Sequence, residues 1–192
     1  MSVETEAKFQ VASHDPIRDR LRTKGATFLH QVLERNRIYD RPDGSLRNQG
    51  CGLRLRVAAR VDNGESHATI TFKGPVLKGP VKSREEIEFP VPADEAPAHF
   101  IEGLGFVVVL DYDKHRESWL FSNCQIELDQ PPHIGLFVEI EGPDVETIGR
   151  AQRALGLSDS EYVRESYVRL LTQYCEDRGI FPRVLRQPPK MS

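Results

Sequence analysis

Hydrophobic and polar residues alternate in nine segments of the chain, and a period of two is typical of β-strands. Because successive side chains of a strand point to opposite faces, each segment presents one apolar side and one polar side. Asp62, Asn63 and Gly64 stand between two of the segments, and Asn-Gly favours a tight hairpin turn. The sequence therefore predicts a mainly antiparallel sheet. Its strands are predicted at residues 3–11, 37–40, 53–61, 68–73, 84–91, 106–110, 114–121, 124–129 and 137–141.

Four other segments place apolar residues three or four positions apart, which predicts amphipathic helices. The last of them has a marked N-terminal signal, because Ser158 and Glu161 have the spacing of a capping box. Each apolar helix face has to be buried, so we expect the helices to cover the apolar face of the sheet. The four predicted helices begin at Asp15, after Asp94, at about residue 144 and after Ser158.

Charged residues recur on the second side of most predicted strands. On any single strand this pattern fits a face exposed to water, but its repetition along the chain weakens that interpretation. Residues on alternate positions share one side of their strand, so each charged set lies together. The acids are Glu4, Glu6, Glu86, Glu88, Glu127, Asp129, Glu139 and Glu141, and the bases are Lys8, Arg54, Arg56, Lys73, Arg84, Lys114 and Arg116.

If helices cover the apolar face, the charged face either opens to water or lines the inside of a closed barrel. Closure would remove the exposed edges of a sheet built from many short strands. Each charge taken out of water costs on the order of several kcal/mol before it is paired. Polyphosphate chemistry with a divalent metal needs both signs of charge in one cavity, because Lys and Arg bind phosphate oxygens and carboxylates bind the metal.

Composition excludes several classes of protein and several kinds of partner. The chain has 192 residues, 29% of them charged, and a formal net charge of −3, which is typical of a globular protein of one domain. An overall basic excess is lacking, so we expect no nucleic-acid partner. Cys51, Cys124 and Cys175 stand far apart, which favours a reducing cytoplasm. Residues 106–110 form the longest apolar run and are too few to span a membrane, so no membrane partner is expected.

The chain resembles the CYTH superfamily, the triphosphate tunnel enzymes that include class IV adenylyl cyclases, thiamine triphosphatases and inorganic triphosphatases. The opening ETEAK is similar to the family's ExExK signature, and further elements follow in order over residues 3–172. The resemblance implies an α+β fold with a closed eight-stranded antiparallel β-barrel, or tunnel, and covering helices. The matching elements are ETEAK, IYD, LRLR, TFKGP, REEIE, DKHRESW, IELDQPPHIGLFVEIE and ESYVRLL.

The resemblance also implies roles for the charged residues. Lys8, Arg56 and Glu4 would be catalytic, and Glu86, Glu88 and Glu127 would orient neighbouring bases. The alternative is that all of these charged residues form a structural network of salt bridges without a functional site. The metal, Mg²⁺ or Mn²⁺, would be held by Glu4, Glu6, Asp129, Glu139 and Glu141. The phosphate chain would be bound by Lys8, Arg54, Arg56, Lys73 and Arg116, with Arg84 and Lys114 as further contacts.

Three functions share such a site. The elements TFKGP, REEIE and ESYVRLL favour a class IV adenylyl cyclase, which converts ATP to cyclic AMP and pyrophosphate. The alternative is a triphosphatase that hydrolyses tripolyphosphate, thiamine triphosphate or a nucleoside triphosphate, and the third is a triphosphate-binding module without turnover. In thiamine triphosphatases a tyrosine of the element containing Tyr39 assists the opening lysine, but here Ile38 takes the place of a second aromatic residue.

The organisation of the chain is expected to be simple. Residues 1–177 are predicted to form the tunnel domain, and residues 178–192 a basic, proline-containing tail. This tail either extends loosely from the domain or is anchored by Phe181, Val184 and Leu185. A homodimer is compatible with the sequence, which does not decide the oligomeric state.

Overall fold

The described residues form a mainly antiparallel sheet with five helices. The computed structural model describes residues 2–77, 82–160 and 162–187, without the side chains of residues 2–4, 82 and 83. The eight long strands are β1 (Ser2–Val11), β2 (Thr27–Asp40), β3 (Gly52–Arg60), β4 (Ser66–Leu77), β5 (Lys82–Val91), β6 (Val107–Phe121), β7 (Cys124–Gln130) and β8 (Leu136–Glu141), and β9 (Val184–Leu185) is short. The helices are α1 (Asp15–Thr23), α2 (Ser45–Asn48), α3 (Ala96–Gly103), α4 (Val145–Ala154) and α5 (Tyr167–Asp177).

The strands pair in the order β2-β3-β4-β5-β1-β8-β7-β6-β9. In addition β2 pairs with β6, in a register that runs from Thr27 opposite Leu120 to Asp40 opposite Val107. Each of the eight long strands therefore has an antiparallel neighbour on both sides. The ninth strand pairs in parallel with β6 at Asp111 and Tyr112.

Two of the long strands differ most from the sequence prediction. The second begins at Thr27 rather than at residue 37, and the two strands predicted at residues 106–110 and 114–121 are one strand, β6, which begins at Val107. Polar residues on both sides hide the alternation in these stretches. Arg35 and Asp111, for example, bind each other across the two strands at 2.9 Å. These stretches form strands because neighbouring strands on both sides supply backbone hydrogen bonds. The local sequence pattern does not show these neighbours.

Three helices cover the apolar face of the sheet, as the sequence predicts. Both α1 and α4 contribute to one cluster, in which Leu21 and Leu155 are completely buried. Asp144 caps α4 by accepting a hydrogen bond from the backbone N–H of Thr147 at 2.7 Å. On another part of the same face α3 packs through Ala98 and Ile101.

The fifth helix does not follow the prediction, because it packs on the other face of the sheet. Its residues Tyr167 and Leu171 share a cluster with Leu110, Tyr112 and Phe137. In their strands these last three alternate with residues of the apolar face and thus stand on the charged face. α5 therefore covers one end of the charged face with apolar side chains.

The start of this helix also differs from the prediction. Ser166 is the N-cap, and its hydroxyl accepts a hydrogen bond from the backbone N–H of Arg169. Of the predicted capping box, Ser158 lies in a turn before the helix and Glu161 lies outside the described residues. Residues 162–166 are not helical; there the backbone N–H of Val163 donates to the carbonyl of Lys8 at 2.8 Å. Contact with β1 thus replaces the first helical turns.

Beyond α5 the chain returns to the sheet. Leu185 in β9 is buried in the same cluster as Leu171, whereas Phe181 and Val184 are exposed. Arg186 binds Asp111 through two hydrogen bonds of 2.9 Å. Up to residue 187 the predicted tail is therefore attached through Leu185 and Arg186, and the residues after it lie outside the described part of the chain. No described helix is long and apolar enough to cross a bilayer.

Replacing Leu171 with alanine should test the packing of α5. Leu171 has no exposed surface, so Leu171→Ala leaves a cavity and should lower the free energy of unfolding by about 2–5 kcal/mol. Urea unfolding measures the change. Leu104 is 56% exposed, and Leu104→Ala, the matched control, should change the stability by about 0.5 kcal/mol or less. Equal effects of the two substitutions would contradict the position of α5.

Candidate active site

The strand register brings the predicted charged residues onto one face, which we call the charged face. Lys8 lies opposite Glu139, and Glu139 lies opposite Glu127 on the next strand. Arg116 lies opposite Asp129. These pairs come from β1, β8, β7 and β6, so the charged residues converge from positions that are far apart in the sequence.

Asp129 is the centre of this convergence. It is completely buried, and its carboxylate accepts hydrogen bonds from Arg116 Nε at 2.7 Å, Lys114 Nζ at 3.1 Å and the Tyr167 hydroxyl at 3.0 Å. A buried carboxylate needs partners of this kind, because an unpaired one would strongly favour protonation. Two strands and α5 therefore meet at a single carboxyl group.

Arg116 connects this centre to three other acids. Its guanidinium lies 2.7 Å from Glu139, 3.6 Å from Glu127 and 3.9 Å from Glu34. Burial by itself lowers the pKa of Arg116, but the surrounding carboxylates, Asp129 foremost, more than offset this and raise the pKa well above its ordinary value. The opposite balance holds for Glu127, where burial dominates and raises the pKa.

Glu34 belongs to the same network, and the sequence analysis missed it. It is 2% exposed and lies 3.3 Å from Lys114 and 3.5 Å from Arg56. Burial acts to raise the pKa of Glu34, but Lys114, Arg116 and Arg56 together bring it well below its usual range. The sequence did contain a signal for Glu34. If the predicted strand is extended toward the N-terminus beyond residue 37, the alternation of side chains places Glu34 on the charged face.

A second group lies on β3, β4 and β5. Arg54 and Arg56 contact Glu88 at 3.6 and 3.3 Å, and Lys73 contacts Glu86 at 2.8 Å. The pKa of Arg56 is lowered, first by burial and next by the neighbouring Arg54. The charged guanidinium of Arg56 is therefore less stable here than it would be in water. An additional anion beside Arg54 and Arg56 would offset this.

The predicted metal ligands are only partly brought together. Glu6 and Glu141 lie directly opposite each other in the strand register, where like charges repel. Among the described side chains, however, no three acidic, histidine or cysteine groups already converge on one point. The backbone of Glu4 lies opposite Arg84, but its side chain is outside the description. Carboxylates at Glu6, Glu139 and Glu141 are hard oxygen donors, and this donor set fits Mg²⁺ or Mn²⁺.

Lys8 is held at the boundary between the acids and α5. Its ammonium group lies 3.4 Å from Glu139, donates to the carbonyl of Glu165 at 2.8 Å and lies 4.0 Å from the centre of the Tyr167 ring. Tyr39 instead lies in the α3 cluster on the apolar face. The tyrosine that contacts the opening lysine is therefore Tyr167, to which the sequence analysis gave no role.

The geometry thus defines a protein with an antiparallel sheet that gathers acids and bases on one face. A family model described as the CYTH domain matches residues 2–167. The chain belongs to the CYTH family.

Individual similarities agree with this fold. A relative from Methanocaldococcus jannaschii, named "Putative adenylate cyclase", is 24% identical over 88% of this chain and 98% of its own length. The structure of PH1819 protein from Pyrococcus horikoshii is 27% identical, with a TM-score of 0.76 over 89% of this chain and 99% of the other. A Hippeastrum "putative adenylyl cyclase", described as having a dominant triphosphatase activity, is 17% identical with a TM-score of 0.66 over 94% and 98%. This last likeness shows the fold alone.

Substitution of Glu34 should reveal how strongly the buried charges depend on each other. Glu34→Gln removes the anion among Lys114, Arg116 and Arg56, and breaking a buried charge pair costs about 3–5 kcal/mol. We expect a loss of unfolding free energy of that size at pH 7, measured with urea. The matched control is Glu146→Gln, because Glu146 is 81% exposed in its contact with Arg150. An equal, small effect of both would show that Glu34 does not stabilise the network.

The stability difference between wild type and Glu34→Gln should also depend on pH with a defined sign. The pKa of Glu34 is lowered in the folded state, so its contribution is fully present above the unfolded carboxyl pKa of about 4.3. The difference should stay constant from pH 7 to about pH 5. It should shrink as the pH falls below the unfolded value, because the unfolded state then gains a proton. Growth of the difference in acid would contradict the ionised state of Glu34.

Proposed function

We propose that the chain is a divalent-metal-dependent enzyme that acts on triphosphates inside a closed tunnel. The observation that carries this proposal is the convergence of Arg54, Arg56 and Lys73 with acidic groups on one face of the sheet. Membership of the CYTH family supports it. Closure into an eight-stranded barrel is supported by the pairing of β2 with both β3 and β6.

The basic group on β3 and β4 is the proposed phosphate site. Arg54, Arg56 and Lys73 are partly shielded from water, with side chains 15–19% exposed. Arginine binds phosphate oxygens through two parallel hydrogen bonds, and the lowered pKa of Arg56 indicates a place where an anion is favourable. Arg84, on the same side of β5, would extend this site. On binding, the phosphates would replace Glu86 and Glu88 as partners of these bases.

The acids on the other side of the charged face are the proposed metal side. Glu4, Glu6, Glu139, Glu141 and Asp129 would hold the ion. When bound, a divalent cation would neutralise phosphate oxygens and favour departure of the leaving group. Lys8 lies beside Glu139 and would bind the phosphate nearest the metal side. The resemblance assigns Lys114 and Arg116 to the phosphate chain, but both already contact Asp129, and their role would be to hold it in place.

Adenylyl cyclase is the leading reaction. In it the ribose 3′ hydroxyl of ATP attacks the α-phosphorus, and pyrophosphate leaves. The name of the Methanocaldococcus jannaschii relative supports this reaction, as do the sequence elements of β4, β5 and α5. The residues of the charged face would act chiefly by positioning the triphosphate and neutralising its charge.

Triphosphatase is the second candidate, and the position of α5 favours it. The apolar end of the charged face is filled by Tyr167, Leu171 and Leu185, so a purine base has to be accommodated elsewhere. A substrate without a base, such as tripolyphosphate, does not have this requirement. In this reaction a water molecule attacks the terminal phosphorus.

The division of the chain into residues 1–177 and 178–192 stays a prediction. So do the cytoplasmic location, the lack of a nucleic-acid partner and the homodimer.

A product analysis should separate these functions. The purified chain is incubated with Mg²⁺ or Mn²⁺ and either ATP or tripolyphosphate, and the products are identified by chromatography. Cyclic AMP with pyrophosphate supports the cyclase, and orthophosphate supports the triphosphatase. Metal-dependent binding of either substrate without products would indicate a binding module and contradict both reactions.

Arg56→Ala should identify the phosphate site. Loss of a buried cation that contacts the substrate should lower kcat/KM by about 100-fold or more, as removal of a charge-stabilising donor does in other enzymes. Circular dichroism should show a folded chain. Arg150→Ala is the matched control, because Arg150 is 54% exposed on α4. Full activity of Arg56→Ala would show that phosphate binds elsewhere.

A further inference from the structure

We propose that Tyr167 is a positioning residue that holds Lys8 for the phosphate chain and links it to Asp129. The inference rests on the proposed function, since it assigns a task to Lys8 during turnover. It concerns a residue of α5, outside the strands that supply the charged face.

Two different parts of the tyrosine make the two contacts. The ring face lies 4.0 Å from Lys8 Nζ, close enough for a cation–π interaction. The hydroxyl donates a hydrogen bond of 3.0 Å to Asp129 Oδ2.

The surrounding chain limits movement of both partners. The ring of Tyr167 packs edge-on against Phe137 with centroids 5.2 Å apart. The carbonyl of Glu165 accepts from Lys8 Nζ at 2.8 Å, and the backbone N–H of Val163 donates to the carbonyl of Lys8. The segment before α5 therefore holds Lys8 by its main chain and its ammonium group, while Tyr167 supplies one wall.

This arrangement keeps the ammonium group of Lys8 in place. Lys8 also lies 3.4 Å from Glu139, so without other contacts the carboxylate would draw the flexible lysine side chain toward the acidic side. The ring and the carbonyl of Glu165 provide cation partners that a phosphate does not displace. Lys8 can then exchange Glu139 for a phosphate oxygen with little movement of its ammonium group. Such preorganisation matters, because a misplacement of about 1 Å can cost about 100-fold in rate.

An apolar core role alone would not require these features. A side chain that only filled the space between Phe137 and Leu171 would need no hydroxyl, and the hydroxyl here reaches a completely buried carboxyl group of the site. Lys114 lies 5.2 Å from the same ring, so Tyr167 stands close to two buried lysines of the charged face. Removing the ring and removing the hydroxyl should therefore have separable effects.

The first test measures the position of Lys8 without substrate. An aromatic ring face so close to Nζ should shift the ε-methylene protons of Lys8 upfield in the NMR spectrum. Lys8→Arg removes the signal and thereby assigns it. The shift should remain in Tyr167→Phe, which keeps the ring, and disappear in Tyr167→Leu. An unshifted signal in the wild type, or an unchanged one in Tyr167→Leu, would overturn the proposal.

The second test measures turnover of ATP and tripolyphosphate. Tyr167→Leu should lower kcat by about 100-fold while KM changes much less, because Arg54, Arg56 and Lys73 still bind the phosphates. Tyr167→Phe should restore activity to within about tenfold of the wild type, since it loses one hydrogen bond only. The structural control is Leu171→Ala, which disturbs the same cluster without touching Lys8 and should keep its kcat below its unfolding temperature.

The outcomes are distinguishable. Equal losses of kcat in Tyr167→Leu and Leu171→Ala, or full activity in Tyr167→Leu, would overturn the positioning role. If Tyr167→Leu does not fold, Tyr167→Phe and the wild-type ring-current shift still decide. A wild-type protein that turns over neither substrate would refute the proposed function, and the shift of the Lys8 signal would then determine by itself whether Tyr167 holds the lysine.

Discussion

The structure depends on one electrostatic constraint: ionised side chains that face the same way on a sheet must find opposite charges once helices and neighbouring strands exclude water. Asp129 shows it most clearly. The carboxylate has no exposure, and it remains a stable part of the fold because Lys114, Arg116 and Tyr167 all reach it. Each partner comes from another position in the chain, so satisfying this group requires β6, β7 and α5 to be in place together. The pairing of this buried group therefore depends on the correct arrangement of the two strands and the helix.

Apolar packing by the helices excludes water from parts of both faces of the sheet. Helices α1, α3 and α4 bury the aliphatic face, as amphipathic patterning requires. The remaining long helix packs on the charged face, where Leu110, Tyr112 and Phe137 offer an apolar patch beside the ionised groups. α5 thereby removes water from one end of the charged face, which strengthens every charge pair nearby and raises the cost of leaving one unpaired. It also brings a tyrosine into contact with the lysine of the opening strand.

The charged face has two halves with different character. Around Asp129 each described charge has close partners of opposite sign, and Glu34 completes this balance from β2. Around Arg56 the compensation is weaker, as the lowered pKa of that guanidinium indicates. A site with a self-neutralised region beside a region where positive charge is less fully compensated is suited to a ligand that brings its own negative charge. Under the proposed function, this difference favours a phosphate chain over a structural salt-bridge network.

Local patterning in the sequence determined most of the strands, the four long helices and the residues that share the charged face, because periods of two and 3.6 follow directly from backbone geometry. It did not reveal the first ten residues of β2, the continuity of β6 or the place of α5. Polar residues such as Arg35 and Asp111 interrupt the alternation there, and they bind each other across two strands that are far apart in the sequence. Tertiary structure alone decided that Tyr167, rather than Tyr39, contacts Lys8. That choice depends on which face of the sheet a helix covers, and a face is selected by the partners available on it, not by the amphipathic pattern of the helix itself.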